Sequence, residues 1–279
     1  LEINNQMSES ENVPNNYAHV ENNVFYIVEN IMGPVEQSTE YEKLLYDFNS
    51  QLSEHCNCDK FCSLPTCTCL KKYCSNNYIS NWQDGQLKHK LNLKKESHPI
   101  FECNESCSCL NNCNNRLVQR GPIDGLEIRP CDKGLGLYTT CFIPEGTFVC
   151  EYAGELITKS QAALRHQTNI LDNKMNYIFC LKEHSGDCVV ETFVDPSVFG
   201  NIGRYMNHSC EPNCHIVPVR CDSPVAKLAI FTNVDVLKDE ELTFHYGASD
   251  ICDSESEQHR IVCLCKSKDC SGFIPFYNY

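Results

Sequence analysis

The cysteines constrain this chain more than anything else in it. Nine of its 22 fall in two clusters, Cys56-x-Cys58-x3-Cys62-x4-Cys67-x-Cys69 and Cys103-x3-Cys107-x-Cys109-x3-Cys113. Tetrahedral zinc takes four thiolates, so three separate sites would need twelve cysteines, and nine suffice only if three of them bridge two ions each. The spacing predicts a compact three-zinc cluster. A disulfide framework is the rival reading of a chain this rich in cysteine. Cys-x-Cys pairs, however, make strained disulfides with each other and suit two ligands on neighbouring metals. Residues Leu1 to Asn22 are polar and acidic and carry no apolar signal core, which also favours metal. The chain opens on Leu1 rather than Met, as a piece of a longer protein would.

At 279 residues the chain can form one large or two small domains. No apolar stretch approaches the roughly 20 residues a membrane helix requires, so no membrane partner is expected. The formal charge of -14 argues against a direct nucleic-acid site, because phosphate binding wants a basic face. It favours a Lys/Arg-rich peptide as partner, although acidity that serves solubility alone is an equal reading of the charge.

Residues 1–23 are rich in Asn, Glu and Ser and read as a flexible segment. Val24–Val28 has the composition of a short strand, and Glu40–Asp47 has weak helical spacing. Between the cysteine clusters, Ser75 to Ser97 is polar and without periodicity, and is expected to be a surface loop. After Cys113 the pattern turns to β. Strands are expected near Leu126–Arg129, Leu137–Thr140, Thr147–Ile157, Tyr177–Leu181, Val189–Val194, Leu228–Thr232 and Leu242–Phe244. Ser185-Gly186-Asp187 reads as the turn between two of them. Thr158 is placed to cap a short helix through Ala162 and Leu164. No βαβ alternation appears, which argues against a dinucleotide-type parallel sheet.

Three further segments carry chemistry. The first is Lys133-Gly134-Leu135-Gly136-Leu137; alone, its Gly-x-Gly would be read as a plain turn. The second is Arg204-Tyr205-Met206-Asn207-His208-Ser209-Cys210-Glu211-Pro212-Asn213. The third is Glu240-Glu241-Leu242-Thr243-Phe244-His245-Tyr246-Gly247, followed by Cys263-x-Cys265-x4-Cys270. That last trio lacks a fourth thiolate, and Cys210 is the natural candidate to complete it. A lone Tyr near a strand end is usually a half-buried core residue, and a lone His a structural one, so Tyr246 and His208 gain meaning only from the motifs around them.

In this order the segments resemble the SET-domain protein lysine methyltransferases with pre-SET and post-SET zinc regions. The likeness covers about residues 50–279 and, through Glu151-Tyr152-Ala153-Gly154-Glu155 and Gly200-Asn201-Ile202-Gly203-Arg204, is nearest the subgroup that includes the SET–mariner transposase fusions. The resemblance implies a mainly β, SET-domain (β-clip) fold of small curved sheets with a C-terminal pseudoknot. It divides the chain into the flexible segment 1–23, an N-terminal flank with pre-SET zinc cluster at 24–116, the SET domain at 117–247 and the post-SET segment at 248–279.

The same resemblance implies that Cys56, Cys62 and Cys103 bridge the three-zinc cluster, with Cys58, Cys67, Cys69, Cys107, Cys109 and Cys113 as terminal ligands. Cys210, Cys263, Cys265 and Cys270 would bind a fourth Zn2+. Cys74, Cys131, Cys141, Cys150, Cys180, Cys188, Cys214, Cys221 and Cys252 are left as free, mostly buried thiols. Lys133, Gly134, Leu135, Gly136, Tyr177, Arg204, Asn207 and His208 would hold S-adenosylmethionine. Tyr246 would be the key catalytic residue, Tyr152 would line the lysine channel, and Phe244 would permit di- or trimethylation, since a Tyr there would restrict product. The implied substrate is a histone H3 tail, at lysine nine or, alternatively, lysine thirty-six. The implied place is the nucleus and chromosome, and the chain is expected to act as a monomer. A non-catalytic chromatin-binding zinc module is the competing reading, and a secreted disulfide-rich protein the third. Two positions depart from the family pattern: Leu135 replaces the usual Trp, and His245 replaces the usual Asp before the catalytic Tyr, a group that titrates near neutrality.

Overall fold

The computed structural model describes residues 19, 21–83, 86–93, 99–247 and 261–275. Short strands dominate, and helices are few. Leu126–Cys131 pairs antiparallel with Gly134–Thr139, and Phe179–Ser185 with Cys188–Asp195. The second pair turns at Gly186, whose φ of +58° only glycine adopts at little cost. Lys227–Thr232 and Glu241–Phe244 complete the expected set.

The long strand expected over Thr147–Ile157 is two strands, Phe148–Glu151 and Glu155–Ile157. The break lies at Gly154, where a Cβ would sit 2.5 Å from the carbonyl carbon of Asp195. The chain leaves one sheet there and enters another: Phe148–Glu151 pairs with Lys227–Thr232, whereas Glu155–Ile157 pairs with Cys188–Asp195. Thr158 caps the next helix as expected, its Oγ1 accepting from the Gln161 N–H at 3.1 Å. That helix, Lys159–Leu171, runs further than its sequence signal and buries Ala162 and His166. Weak spacing at Glu40–Asp47 becomes the helix Thr39–Asn49, capped by Ser38. The strand expected over Val24–Val28 shrinks to Phe25–Tyr26, which pairs parallel with Phe199–Gly200.

One expectation is wrong. Ser75 to Ser97 is not only a loop: Tyr78–Gln83 and Gln86–Leu91 form an antiparallel hairpin. Its anchors are Tyr78 and Leu91, both buried, and the Tyr78 ring stacks 6.4 Å from that of Phe231. The strand Cys214–Arg220 was not anticipated, because Pro218 interrupts its pattern. Pro218 lies just outside the stretch that Ile100–Phe101 covers on that strand's far side.

Two of the three chemistry-bearing segments, 204–213 and 240–247, pack side by side, as the expected C-terminal pseudoknot requires. Asn207–His208 runs parallel to Glu241–Phe244, with Asn207 opposite Thr243 and His208 opposite Phe244. Asn213 ties the crossing: its Nδ2 donates to the Glu241 carbonyl at 2.8 Å, and its Oδ1 accepts from the Thr243 N–H at 2.9 Å. Leu137, Val149, Ile230, Leu242 and Phe244 form the core beneath them. Among the described residues no helix is long and apolar enough to cross a membrane.

Candidate active site and cysteine centres

The sulfurs of Cys56, Cys62 and Cys103 form a triangle with edges of 3.6, 3.9 and 3.5 Å. The other six cysteines of the two clusters surround it, with Cys69 3.7 Å from Cys107 and Cys113 4.0 Å from Cys103. Four thiolates held at Zn–S distances of 2.3 Å in a tetrahedron lie about 3.8 Å apart, so this spacing fits a bridged zinc cluster. Backbone N–H groups point at the sulfurs, Asn115 at Cys113 (3.2 Å) and Cys56 at Cys107 (3.4 Å), as thiolate ligands require. Cys210, Cys263, Cys265 and Cys270 form a second centre with sulfurs within 4.8 Å of one another. Cys210 thus completes the C-terminal trio, 3.9 Å from both Cys263 and Cys270. No two of these sulfurs approach bonding distance, and all 21 described cysteines are free, which removes the disulfide reading for them. The remaining thiols are less buried than expected: Cys150, Cys180, Cys214 and Cys221 are buried, Cys74, Cys141 and Cys188 are exposed, and Cys131 lies between. Cys252 falls outside the described residues.

The Gly-x-Gly is no simple turn. Gly134, at φ +104°, opens the strand Gly134–Thr139, and a Cβ on Gly136 would come within 2.9 Å of Glu241 Oε1 and 3.2 Å of Asn207 Nδ2. Asn207 Nδ2 donates to the Leu135 carbonyl (2.9 Å) and to Glu241 Oε1 (2.8 Å), and Lys133 Nζ meets Glu241 Oε2 at 2.7 Å. Glu241 therefore holds Lys133 and Asn207 together, a role that sequence reading missed although it lies within the Glu240–Gly247 segment. His208 is buried, and burial, with the charges of His245 and Lys133, pushes its pKa down to about 4. Its Nδ1 accepts the Tyr246 N–H at 3.3 Å, which leaves Nε2–H to face the Cys210 sulfur at 3.5 Å. Arg204 is buried with its guanidinium 4.7 Å from the Tyr177 ring centre; its Nε donates to the Pro196 carbonyl, and it pairs with Glu21. Leu135 packs against the main core, and His245 is exposed, its ring 4.8 Å from that of His208.

On the other side of the interlock, Tyr152, Phe179, Phe244 and Tyr246 enclose an aromatic channel. Phe244 lies 5.6 Å from Tyr152, 6.0 Å from Phe179 and 5.0 Å from Tyr246, measured between ring centres. Tyr152 donates its hydroxyl to the Tyr177 carbonyl at 2.6 Å, and Tyr246 to the Met206 carbonyl at 3.1 Å. Burial holds both phenols above their usual pKa, so the channel presents neutral rings and no anion. Phe179 belongs to the enclosure and was not singled out in the sequence. The four rings line one part of a cleft of about 300 Å³ that extends to the end of helix Lys159–Leu171 and to Ile261 and Ile274.

Known proteins match both halves of this arrangement. Residues 134–247 match the SET domain and residues 2–116 the Pre-SET motif. Over 234 residues the chain is 41% identical to the bovine histone-lysine N-methyltransferase SETMAR, covering 79% of this chain and 74% of that protein. The crystal structure of the methyltransferase domain of human SETMAR superposes with a TM-score of 0.70 at 35% identity, covering 91% of this chain and 89% of that one. KRYPTONITE in complex with mCHH DNA, an H3(1-15) peptide and SAH superposes with a TM-score of 0.68 at 26% identity, covering 90% of this chain and 48% of that one.

Proposed function

This chain belongs to the SET-domain histone-lysine N-methyltransferases, and from that premise we propose that it methylates lysine nine of the histone H3 tail to the di- or trimethyl state, in the nucleus and on chromosomes. The observation that carries the reading is the closed set of neutral aromatic rings around Phe244 and Tyr246, set directly across the interlock from Asn207 and His208. S-adenosylmethionine, when bound, supplies an electrophilic sulfonium methyl. Lys133, Gly134, Leu135, Gly136, Tyr177, Arg204, Asn207 and His208 are the residues that hold it.

The aromatic channel treats the lysine as an amine to be dried and aimed. A lysine ammonium has a pKa near 10.4 in water, and entry between four uncharged rings disfavours the charged form, so the proton leaves to solvent and a neutral nucleophile remains. In-line displacement then asks for alignment more than for acid–base groups. Tyr246, tied through its hydroxyl to the Met206 carbonyl and through its N–H to His208, has little freedom to rotate. Tyr152, bound to the Tyr177 carbonyl, fixes the opposite wall. Phe244 offers no hydroxyl to hold a water beside the amine, which leaves room for further methyl groups.

Three Zn2+ in the cluster of Cys56 to Cys113 and one on Cys210, Cys263, Cys265 and Cys270 would brace the two ends of the site. Elemental analysis should give four zinc per chain. Labelled methyl transfer to a panel of H3 peptides, beside a Tyr246→Phe control, tests the activity and separates lysine nine from lysine thirty-six. Equal labelling by both proteins, or none by either, counts against this reading, and none by either favours a non-catalytic chromatin module. Mass spectrometry of the product should show at least a dimethyl form; an exclusively monomethyl product at long times contradicts the role given to Phe244.

A further inference from the structure

The N-terminal flank meets the cofactor side of the molecule at one buried cation. Phe25–Tyr26 pairs parallel with Phe199–Gly200, and the rings of Phe25 and Phe199 stack 5.4 Å apart. Glu21 thereby reaches Arg204, 183 residues away in the chain: its carboxylate accepts from Arg204 Nη1 at 2.5 Å and from the Tyr205 hydroxyl at 3.0 Å. The Arg204 side chain is 3% exposed and that of Glu21 35%. Arg204 Nε donates to the Pro196 carbonyl at 3.1 Å, and the guanidinium lies 4.7 Å from the Tyr177 ring centre and 5.0 Å from that of Tyr205. Those contacts are neutral, and among the described residues Glu21 is the one carboxylate paired with Arg204. An arginine keeps its charge when buried, so a missing counter-ion leaves a cation in place. The aromatic channel feels that cation: burial pushes the Tyr152 phenol up, and Arg204 pulls it the other way. Tyr177 joins the two, since its ring faces Arg204 and its carbonyl accepts the Tyr152 hydroxyl at 2.6 Å.

Resting on the methyltransferase reading, we propose that Glu21 is a positioning residue of the cofactor site. Acting through Arg204, it holds the guanidinium against the Tyr177 ring and balances its charge, so that a sulfonium meets no uncompensated cation. Cofactor and product differ in charge at sulfur: S-adenosylmethionine carries a sulfonium, and S-adenosylhomocysteine a neutral thioether. An uncompensated Arg204 therefore repels the first and leaves the second almost untouched. In a protein of effective dielectric about 20, unit charges still act on each other across roughly 10–15 Å. Poor docking of the N-terminal flank would instead weaken both ligands alike, so the ratio of the two affinities separates charge from packing. Glu21 falls in the stretch 1–23 that reads as flexible in the sequence, and the inference gives that stretch a part in binding.

The test uses the full, zinc-loaded chain and titration calorimetry with S-adenosylmethionine and with S-adenosylhomocysteine, beside methyl transfer to H3 peptides. Glu21→Gln keeps the size of the side chain and one acceptor but removes the charge; Glu21 is a third exposed, so the substitution leaves the fold intact. It should lower the preference for the sulfonium ligand over the thioether about fivefold. Glu21→Asp restores the charge and should recover at least half of that loss. Tyr205→Phe removes a hydrogen bond from the same carboxylate without changing any charge, and should lower Tm while leaving the ratio as in the parent. If Glu21→Gln leaves the ratio unchanged, weakens both ligands alike, or is matched in the ratio by Tyr205→Phe, the inference is overturned. If the parent and variants follow the expected ratios yet no peptide is methylated, the inference stands and the catalytic reading falls. If the parent binds neither ligand, both fall.

Discussion

Replacement of Glu102 by Ala should destabilise the whole molecule, because this carboxylate joins the cysteine cluster to the catalytic sheets. It is 1% exposed and adjoins Cys103, a corner of the sulfur triangle. Oε1 accepts from Tyr78 Oη (2.6 Å), Leu117 N–H (2.7 Å) and Val118 N–H (2.8 Å), and Oε2 accepts from Gln119 Nε2 (2.8 Å). Ala leaves these four donors, with the longer contacts from Gln119 N–H (3.4 Å) and Cys221 Sγ (3.5 Å), facing a hole. A buried donor without an acceptor costs about 1–3 kcal/mol, and water admitted to the hole recovers part of that, so the sum should be near 4 kcal/mol. At roughly 2–4 °C per kcal/mol for a unit of this size, Tm should fall by about 10 °C. Glu102→Gln keeps the shape and one carbonyl acceptor but sets an amide N–H2 against that of Gln119, and should cost about half as much. Calorimetry of the metal-loaded protein measures both. An Ala variant within about 2 °C of the parent would refute this accounting.

Further outcomes follow from other buried polar groups. Arg165 reaches Glu155 Oε2 at 2.8 Å and Asp195 Oδ2 at 2.7 Å, both on nearly buried carboxylates, so Arg165→Met should cost about 3–5 kcal/mol in a denaturant titration, more than an exposed pair could. Gly136→Ala should weaken S-adenosylmethionine binding about tenfold by calorimetry, because its Cβ would push Glu241 and Asn207 out of register; unchanged affinity would contradict the role given to that strand. His19 docks through Nε2 on the Gly200 carbonyl (3.0 Å) and Nδ1 on the Tyr205 hydroxyl (2.8 Å), and burial lowers its pKa. The undocked imidazole therefore binds protons more readily, and docking should weaken as pH falls below about 6.5, the ordinary histidine value. An NMR titration of the ring with a midpoint above 6.5 would reverse that sign.

What could be read in advance was whatever is local in the chain. Cysteine spacing encodes ligand geometry over a few residues, so the grouping of Cys56 to Cys113 and the joining of Cys210 to the terminal trio were visible before any coordinates. Alternating apolar residues revealed most strands for the same reason. The hairpin Tyr78–Gln83 and Gln86–Leu91 escaped because it is held by a buried Tyr78 and Leu91 at its ends rather than by a pattern along its length. Glu102 and Glu241 escaped because a buried carboxylate is defined by its donors, and those come from elsewhere in the chain: Lys133 lies 108 residues from Glu241, and Tyr78 lies 24 from Glu102. The net charge of -14 is a sum over a whole surface and suggested a basic partner. Among the described residues, the cleft beside the aromatic rings is lined by sixteen, none of them acidic. A sum over the chain governs encounter, whereas discrimination depends on the few atoms that lose water together, so the two need not share a sign.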